Sequence, residues 1–180
     1  TAVNDAPVLT NQSGNVSEEG LSGANPDTTG ATDTTNLSTV SGAMTVTDVD
    51  SSTFTYSLTS APSGLTSGGV AITWNLVGQT YTATAGATQV ATLTINNTGA
   101  YTFTLLRPID HAAAGEDVRA LSFGVSASDG SASGTGTLTI NVEDDSPVAP
   151  AASNNIYVGV DALSVNTLKA GFINARLDNG

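Results

Sequence analysis

The chain reads as an all-β, antiparallel protein, and three features say so. Its polar positions are filled by Thr, Ser, Asn, Asp and Gly rather than by Lys and Glu. Thr suits a pleated, half-solvated surface, and the other four mark turns. Apolar residues recur at every second position in short runs bounded by those turn residues, as half-buried strands require. No stretch before residue 150 carries the period of a helix.

Taken in order, the runs place a first strand near residues 7–17. A second follows near 38–47, where Met44 and Val46 alternate with Thr45 and Thr47. Phe54, Tyr56 and Leu58 define a strand near 53–60, and Ile72, Trp74 and Leu76 one near 70–77. The alternation makes Trp74 a core residue rather than a stacking platform. A short run follows near 79–85, then Ala91-Leu93-Ile95 (89–96) and Tyr101-Phe103-Leu105 (100–106). Leu121-Phe123-Val125 (118–128) and Leu138-Ile140-Val142 (135–142) complete the set. Asn96-Asn97-Thr98-Gly99 reads as a hairpin loop, and Asp129-Gly130 does the same between the last two strands. Gly20 to Asn36 is long, polar and unpatterned, hence a surface excursion.

Composition narrows the function. Only 11% of the 180 residues are charged, and four Lys+Arg face sixteen Asp+Glu, a formal net charge of −12. Most nucleic-acid partners are therefore ruled out and an anionic membrane surface is disfavoured, because both need clustered cations. No apolar run approaches the ~20 residues of a spanning helix, so no membrane insertion is expected. There are no cysteines, which removes disulfides and thiol chemistry. His111 is the single imidazole; no Gly-x-Ser-x-Gly elbow accompanies it, and it is expected to pack against a strand end. Zinc would have carboxylates and little else, which argues against it. The Thr-x-Thr pairs, such as Thr92-Thr94 and Thr102-Thr104, read as filler of a solvated strand face. The chain is not expected to be an enzyme.

Residues 1–147 are expected to form one domain, 148–155 a linker (Ser146 to Ser153 reads SPVAPAAS), and 156–180 a fragment opening a following domain. That fragment is too short to build its own core, and the chain, opening at Thr1 with no leader, reads as excised from a longer one.

The carboxylates sit at the ends of the expected strands. If the first strand runs down and every later one reverses, Glu18, Glu19, Asp110, Glu116, Asp117, Glu143, Asp144 and Asp145 fall at the bottom. Asn4, Asp5, Asp48, Asp50 and Asp129 then fall at the top. Like charges crowded into two caps repel unless they titrate abnormally or hold a cation. Calcium is the natural one, since it accepts six to eight hard oxygen ligands in flexible geometry. The candidate metal ligands are thus Asp5, Glu18, Glu19, Asp48, Asp50, Asp110, Asp117, Asp129, Glu143, Asp144 and Asp145. Asp48-Val49-Asp50 lacks the central Gly and distal Glu of an EF-hand loop.

The succession Asn4-Asp5-Ala6-Pro7, Ser17-Glu18-Glu19-Gly20, Val46-Thr47-Asp48-Val49-Asp50-Ser51, Tyr101-Thr102-Phe103-Thr104-Leu105, Pro108-Ile109-Asp110-His111, Ser128-Asp129-Gly130 and Glu143-Asp144-Asp145-Ser146-Pro147 resembles the cadherin-like repeat of giant bacterial RTX adhesins exported by type I secretion. The resemblance spans roughly residues 1–148. It implies a Greek-key-like β-sandwich of cadherin or Ig type, stiffened by calcium, secreted to a bacterial surface as one link of a tandem array. Its implied ligands are Glu18 or Glu19, Asp48 with Asp50, and Glu143-Asp144-Asp145. Its implied partners are neighbouring domains of the same polypeptide, with a surface glycan or peptide reached through other domains, and the module itself is expected to be monomeric. The family's richer Asp-x-Asp-Gly-Asp turn is here only Ser128-Asp129-Gly130-Ser131. The alternative is a module that itself binds a glycan or peptide, through the Gly20–Asn36 excursion or the Trp74 face.

Overall fold

The computed structural model of the chain describes residues 3–24, 34–113 and 117–145, all within one unit, Thr1–Pro147. The expected linker and following fragment, Glu116, and the centre of the Gly20–Asn36 excursion lie outside the described residues. The described residues form twelve strands: β1 Val8–Thr10, β2 Gln12–Ser17, β3 Thr39–Ala43, β4 Thr45–Thr47, β5 Thr55–Ser60, β6 Thr66–Ser67, β7 Val70–Val77, β8 Thr80–Ala85, β9 Thr88–Ile95, β10 Ala100–Leu105, β11 Val118–Ser128 and β12 Ser133–Glu143. One 3₁₀ turn, Glu18–Gly20, ends β2.

The strands form an all-β sandwich. One sheet has the order β3-β10-β9-β8-β7-β6 and the other β2-β12-β11-β5, while β1 and β4 make a separate pair. Alternation sorts the side chains as expected. Leu121, Phe123, Val125 and Ala127 of β11, and Leu138, Ile140 and Val142 of β12, point inward and are buried. They meet Leu93, Ile95, Tyr101, Phe103 and Leu105 of the six-stranded sheet in one core. Trp74 is half-buried against that core, edge-on to Phe123 at 5.0 Å and to Tyr81 at 6.1 Å. Leu76, its partner in the expected alternation, is 40% exposed, because β6 pairs only with Val70 and Ala71 and leaves the rest of β7 an open edge.

Outward threonines pair across strands, Thr39 with Thr104 at 3.2 Å, Ser41 with Thr102 at 2.9 Å and Thr80 with Thr94 at 2.9 Å. Such cross-strand hydroxyl pairs stabilise a solvated face.

Two expected strands are each divided. The first breaks at Asn11, so that β1 pairs antiparallel with β4 while β2 pairs parallel with β12. The second breaks at Met44, whose buried side chain separates β3 from β4. The parallel pair agrees with the alternating count, in which first and last strands run the same way.

The Asn96–Gly99 loop closes β9 and β10, with Gly99 N–H donating to Asn96 O at 3.0 Å. Gly99 has φ +80 and a Cβ there would lie 2.7 Å from the Tyr56 ring, so conformation and space both demand glycine.

Gly134 of β12 lets β1 approach: a Cβ would fall 1.8 Å from the Pro7 carbonyl oxygen. Gly134→Ala must displace that backbone, and a loss of about 1–3 kcal/mol is expected, the usual cost of overpacking. Urea unfolding of parent and variant measures it; equal midpoints would mean that β1 yields freely.

Candidate metal centres

β11 is eleven residues long, about 35 Å at the antiparallel rise. Asp117 precedes it and Asp129 follows it, so the two carboxylate groups described next lie at opposite ends of the sandwich.

At the top end, Asp48, Asp50 and Asp129 each bring a carboxylate oxygen within 4.8 Å of the others. The chain builds this from two turns. Asp48, just past β4, accepts through Oδ1 from Asp50 N–H (2.9 Å) and Ser51 N–H (2.8 Å). Asp129, just past β11, accepts through Oδ1 from Ser131 N–H (2.6 Å) and Ala132 N–H (2.7 Å), and through Oδ2 from Asn4 Nδ2 (2.9 Å). Asp5 donates its N–H to Asp50 Oδ2 at 3.3 Å; its backbone, not its carboxylate, is what joins this group. Backbone donors hold Asp48 and Asp129 below the usual carboxylate range, whereas contact with Asp48 pushes Asp50 above it. Asp48 Oδ2 is buried and has no hydrogen-bond partner among the described residues, as a carboxylate oxygen left for a cation would be.

At the bottom end, Ser17 caps the 3₁₀ turn by accepting from Glu19 N–H at 3.1 Å, and both Glu18 and Glu19 are buried. Glu18 Oε1 accepts from Ile109 N–H at 2.8 Å and lies 3.3 Å from His111 Nε2. His111 Nδ1 meets Asp117 Oδ1, and Asp117 Oδ2 accepts from Ala113 N–H at 3.1 Å. Asp144 donates its N–H to Asp117 O at 3.0 Å and accepts from Asp145 N–H at 2.9 Å. Donor atoms of Glu18, His111 and Asp144 all lie within 4.8 Å of one another. Asp145 shares with Glu18 and Arg107 the wall of a groove of about 430 Å³, and its Oδ1 is buried without a hydrogen-bond partner among the described residues.

Two expected ligands are otherwise engaged. Asp110 accepts from Gly68 N–H and Gly69 N–H, both at 2.8 Å, and so caps the β6–β7 turn. Glu143 is buried and takes Thr34 N–H at 3.2 Å, the Thr34 hydroxyl and Thr35 N–H at 3.3 Å, fastening the returning end of the Gly20–Asn36 excursion to β12. Among the described residues, neither joins a group of three close donor atoms.

His111 was expected only to pack against a strand end, yet its side chain is 3% exposed and sits inside the acidic group. The same count that sends Asp110 to the bottom sends its neighbour there too. Burial opposes charge on the ring, but the carboxylates of Glu18 and Asp117 beside it outweigh that and raise its pKa above the ordinary imidazole value. A raised imidazole pKa contributes stability below the unfolded value, lost as pH rises through the folded one. Metal-free protein is therefore expected to lose stability as the pH climbs past about 6.5. The single imidazole can be titrated by NMR beside the melting curve; a midpoint below the free value would refute this. Asp117, held low by Ala113 N–H and by the ring, has the opposite sign and loses its contribution only in acid. Asp144, raised by burial, is relieved by protonation on the way down.

No family model, curated protein or solved structure matches this chain. Among the described residues no helix is long and apolar enough to cross a membrane.

Proposed function

We propose that this chain is a structural extender module of a secreted bacterial surface adhesin, stiffened by calcium at its two ends and joined to neighbouring domains of the same polypeptide. The observation that carries the reading is the sorting of carboxylates to opposite ends of a rigid sandwich. Each end holds a buried carboxylate oxygen, of Asp48 or Asp145, with no hydrogen-bond partner among the described residues. Oxygen-only donors in loop geometry suit calcium better than smaller or softer ions. Asp48, Asp50 and Asp129 would hold it at the top, and Asp145, with Glu19, would hold it at the bottom. A bound cation cancels the repulsion at each end and fixes the strand ends from which the chain enters and leaves. With extracellular-type affinity of about 10⁻⁴–10⁻³ M, the sites stay empty where calcium is scarce and fill outside the cell.

Of two grooves among the described residues, one beside Glu18 and one between Ser67, Arg107 and Asp110, neither is lined by an aromatic residue, and Trp74 packs on the core. That favours the extender over a module that grips a glycan or peptide.

Melting the full chain in millimolar calcium, in magnesium and in EDTA tests the proposal. Calcium is expected to raise the transition well above the EDTA value and magnesium to do little. Superimposable curves would leave the acids as mere solubilising charge.

A further inference from the structure

His111 makes the bottom end chemically unlike the top. An imidazole nitrogen is a poor ligand for calcium, which prefers oxygen, and a good one for zinc and its neighbours. We infer that Glu18, His111 and Asp144 form a site for a zinc-class divalent metal, with Asp117 as the residue that positions the imidazole.

Four observations converge on it. The ring is nearly wholly buried, so its orientation is fixed by packing. Nδ1 is taken by the Asp117 carboxylate, the arrangement that sets the tautomer and leaves Nε2 free to ligate in carboxylate–histidine–metal triads. Nε2 is buried and has no hydrogen-bond partner among the described residues, although it faces Glu18 Oε1 at 3.3 Å. A neutral ring would thus aim a lone pair at a carboxylate, which needs a cation or a proton between them. Finally, a 3.3 Å donor separation is the edge of a tetrahedron whose centre lies about 2.0 Å from each corner, the length of zinc–nitrogen and zinc–oxygen bonds. Asp144 supplies a third donor within 4.8 Å, and solvent can fill a fourth position.

The count of one His and no Cys had argued against zinc. One imidazole among carboxylates nevertheless makes a mixed nitrogen–oxygen donor set. The inference stands whether or not calcium binds at Asp48 or Asp145.

The chain's single histidine makes the test direct. In untagged full-length protein held in excess calcium, stoichiometric zinc should shift the imidazole ¹⁵N resonances, Nε2 most, and cobalt should give the intense visible bands of a four-coordinate site. Asp117→Asn should weaken zinc about 10–100-fold, the usual cost of losing a carboxylate behind a metal-bound histidine, and His111→Gln should abolish the imidazole-dependent binding. Should His111→Gln not fold, the titration of the unmodified chain still decides. Imidazole resonances indifferent to zinc would overturn the assignment, leaving His111 as a proton-bridged ion pair. So would zinc bound equally well by Asp117→Asn, or calcium producing the same imidazole shift.

Discussion

Replacing Phe123 with alanine is expected to lower the melting temperature by about 6–20 °C. The ring is fully buried on β11, in the four-stranded sheet. Its neighbours Trp74, Tyr81 and Phe103, with centroids 5.0, 6.2 and 6.2 Å away, all belong to the six-stranded sheet. Phe123 is thus a main contact through which the two sheets meet. Truncation forfeits the transfer free energy of the ring and leaves a cavity the rigid strands cannot close, about 3–5 kcal/mol for such sites. At 2–4 °C per kcal/mol for a domain of this size the range above follows. Aromatics are only 5% of the chain, so few side chains can move in to fill the hole. Calorimetry showing a shift under about 3 °C would mean that the sheets do not pack through this ring.

Asp48→Asn should cost far more stability in calcium than without it. Asparagine keeps the oxygen that accepts from Asp50 N–H and Ser51 N–H, and so keeps the turn; what it removes is one negative charge beside Asp50 and Asp129. In EDTA the relieved repulsion is set against the loss of a carboxylate that its backbone donors hold ionised, and the variant should melt a little below the parent. In calcium at 100-fold over its dissociation constant each site adds about 2.7 kcal/mol, so a variant that loses the top site should melt about 5–10 °C below the parent. Paired melts of both proteins in both buffers provide the four temperatures. The same offset with and without calcium would show that Asp48 acts only as a turn residue.

Much of this fold could be read from one sequence, and the parts that could not share a cause. Leu121-Phe123-Val125 and Leu138-Ile140-Val142 announce their strands because a period of two survives only where one face is buried. Reversing direction strand by strand then carried Asp48 and Asp129 to one end and Glu18, Asp117 and Asp144 to the other, since direction follows from counting alone. What counting does not supply is the partner of each strand. The breaks at Asn11 and Met44 and the parallel pairing of β2 with β12 arise from a strand changing sheets, which leaves no mark on the alternation. The fates of Asp110 and Glu143 were hidden for the same reason. Their carboxylates accept from N–H groups of Gly68, Gly69, Thr34 and Thr35, residues remote in sequence and adjacent only once folded. His111 was underrated because an isolated histidine carries no spacing pattern; its meaning comes from the three carboxylates that the fold gathers around it.

Equilibrium calcium titration of the full chain by calorimetry decides whether the acidic ends bind calcium. At least two sites with dissociation constants of about 10⁻⁴–10⁻³ M are expected, one lost in Asp48→Asn and another in Asp145→Asn, each variant leaving the other end intact. No calcium uptake in that range, or binding unchanged by both substitutions, would contradict that expectation.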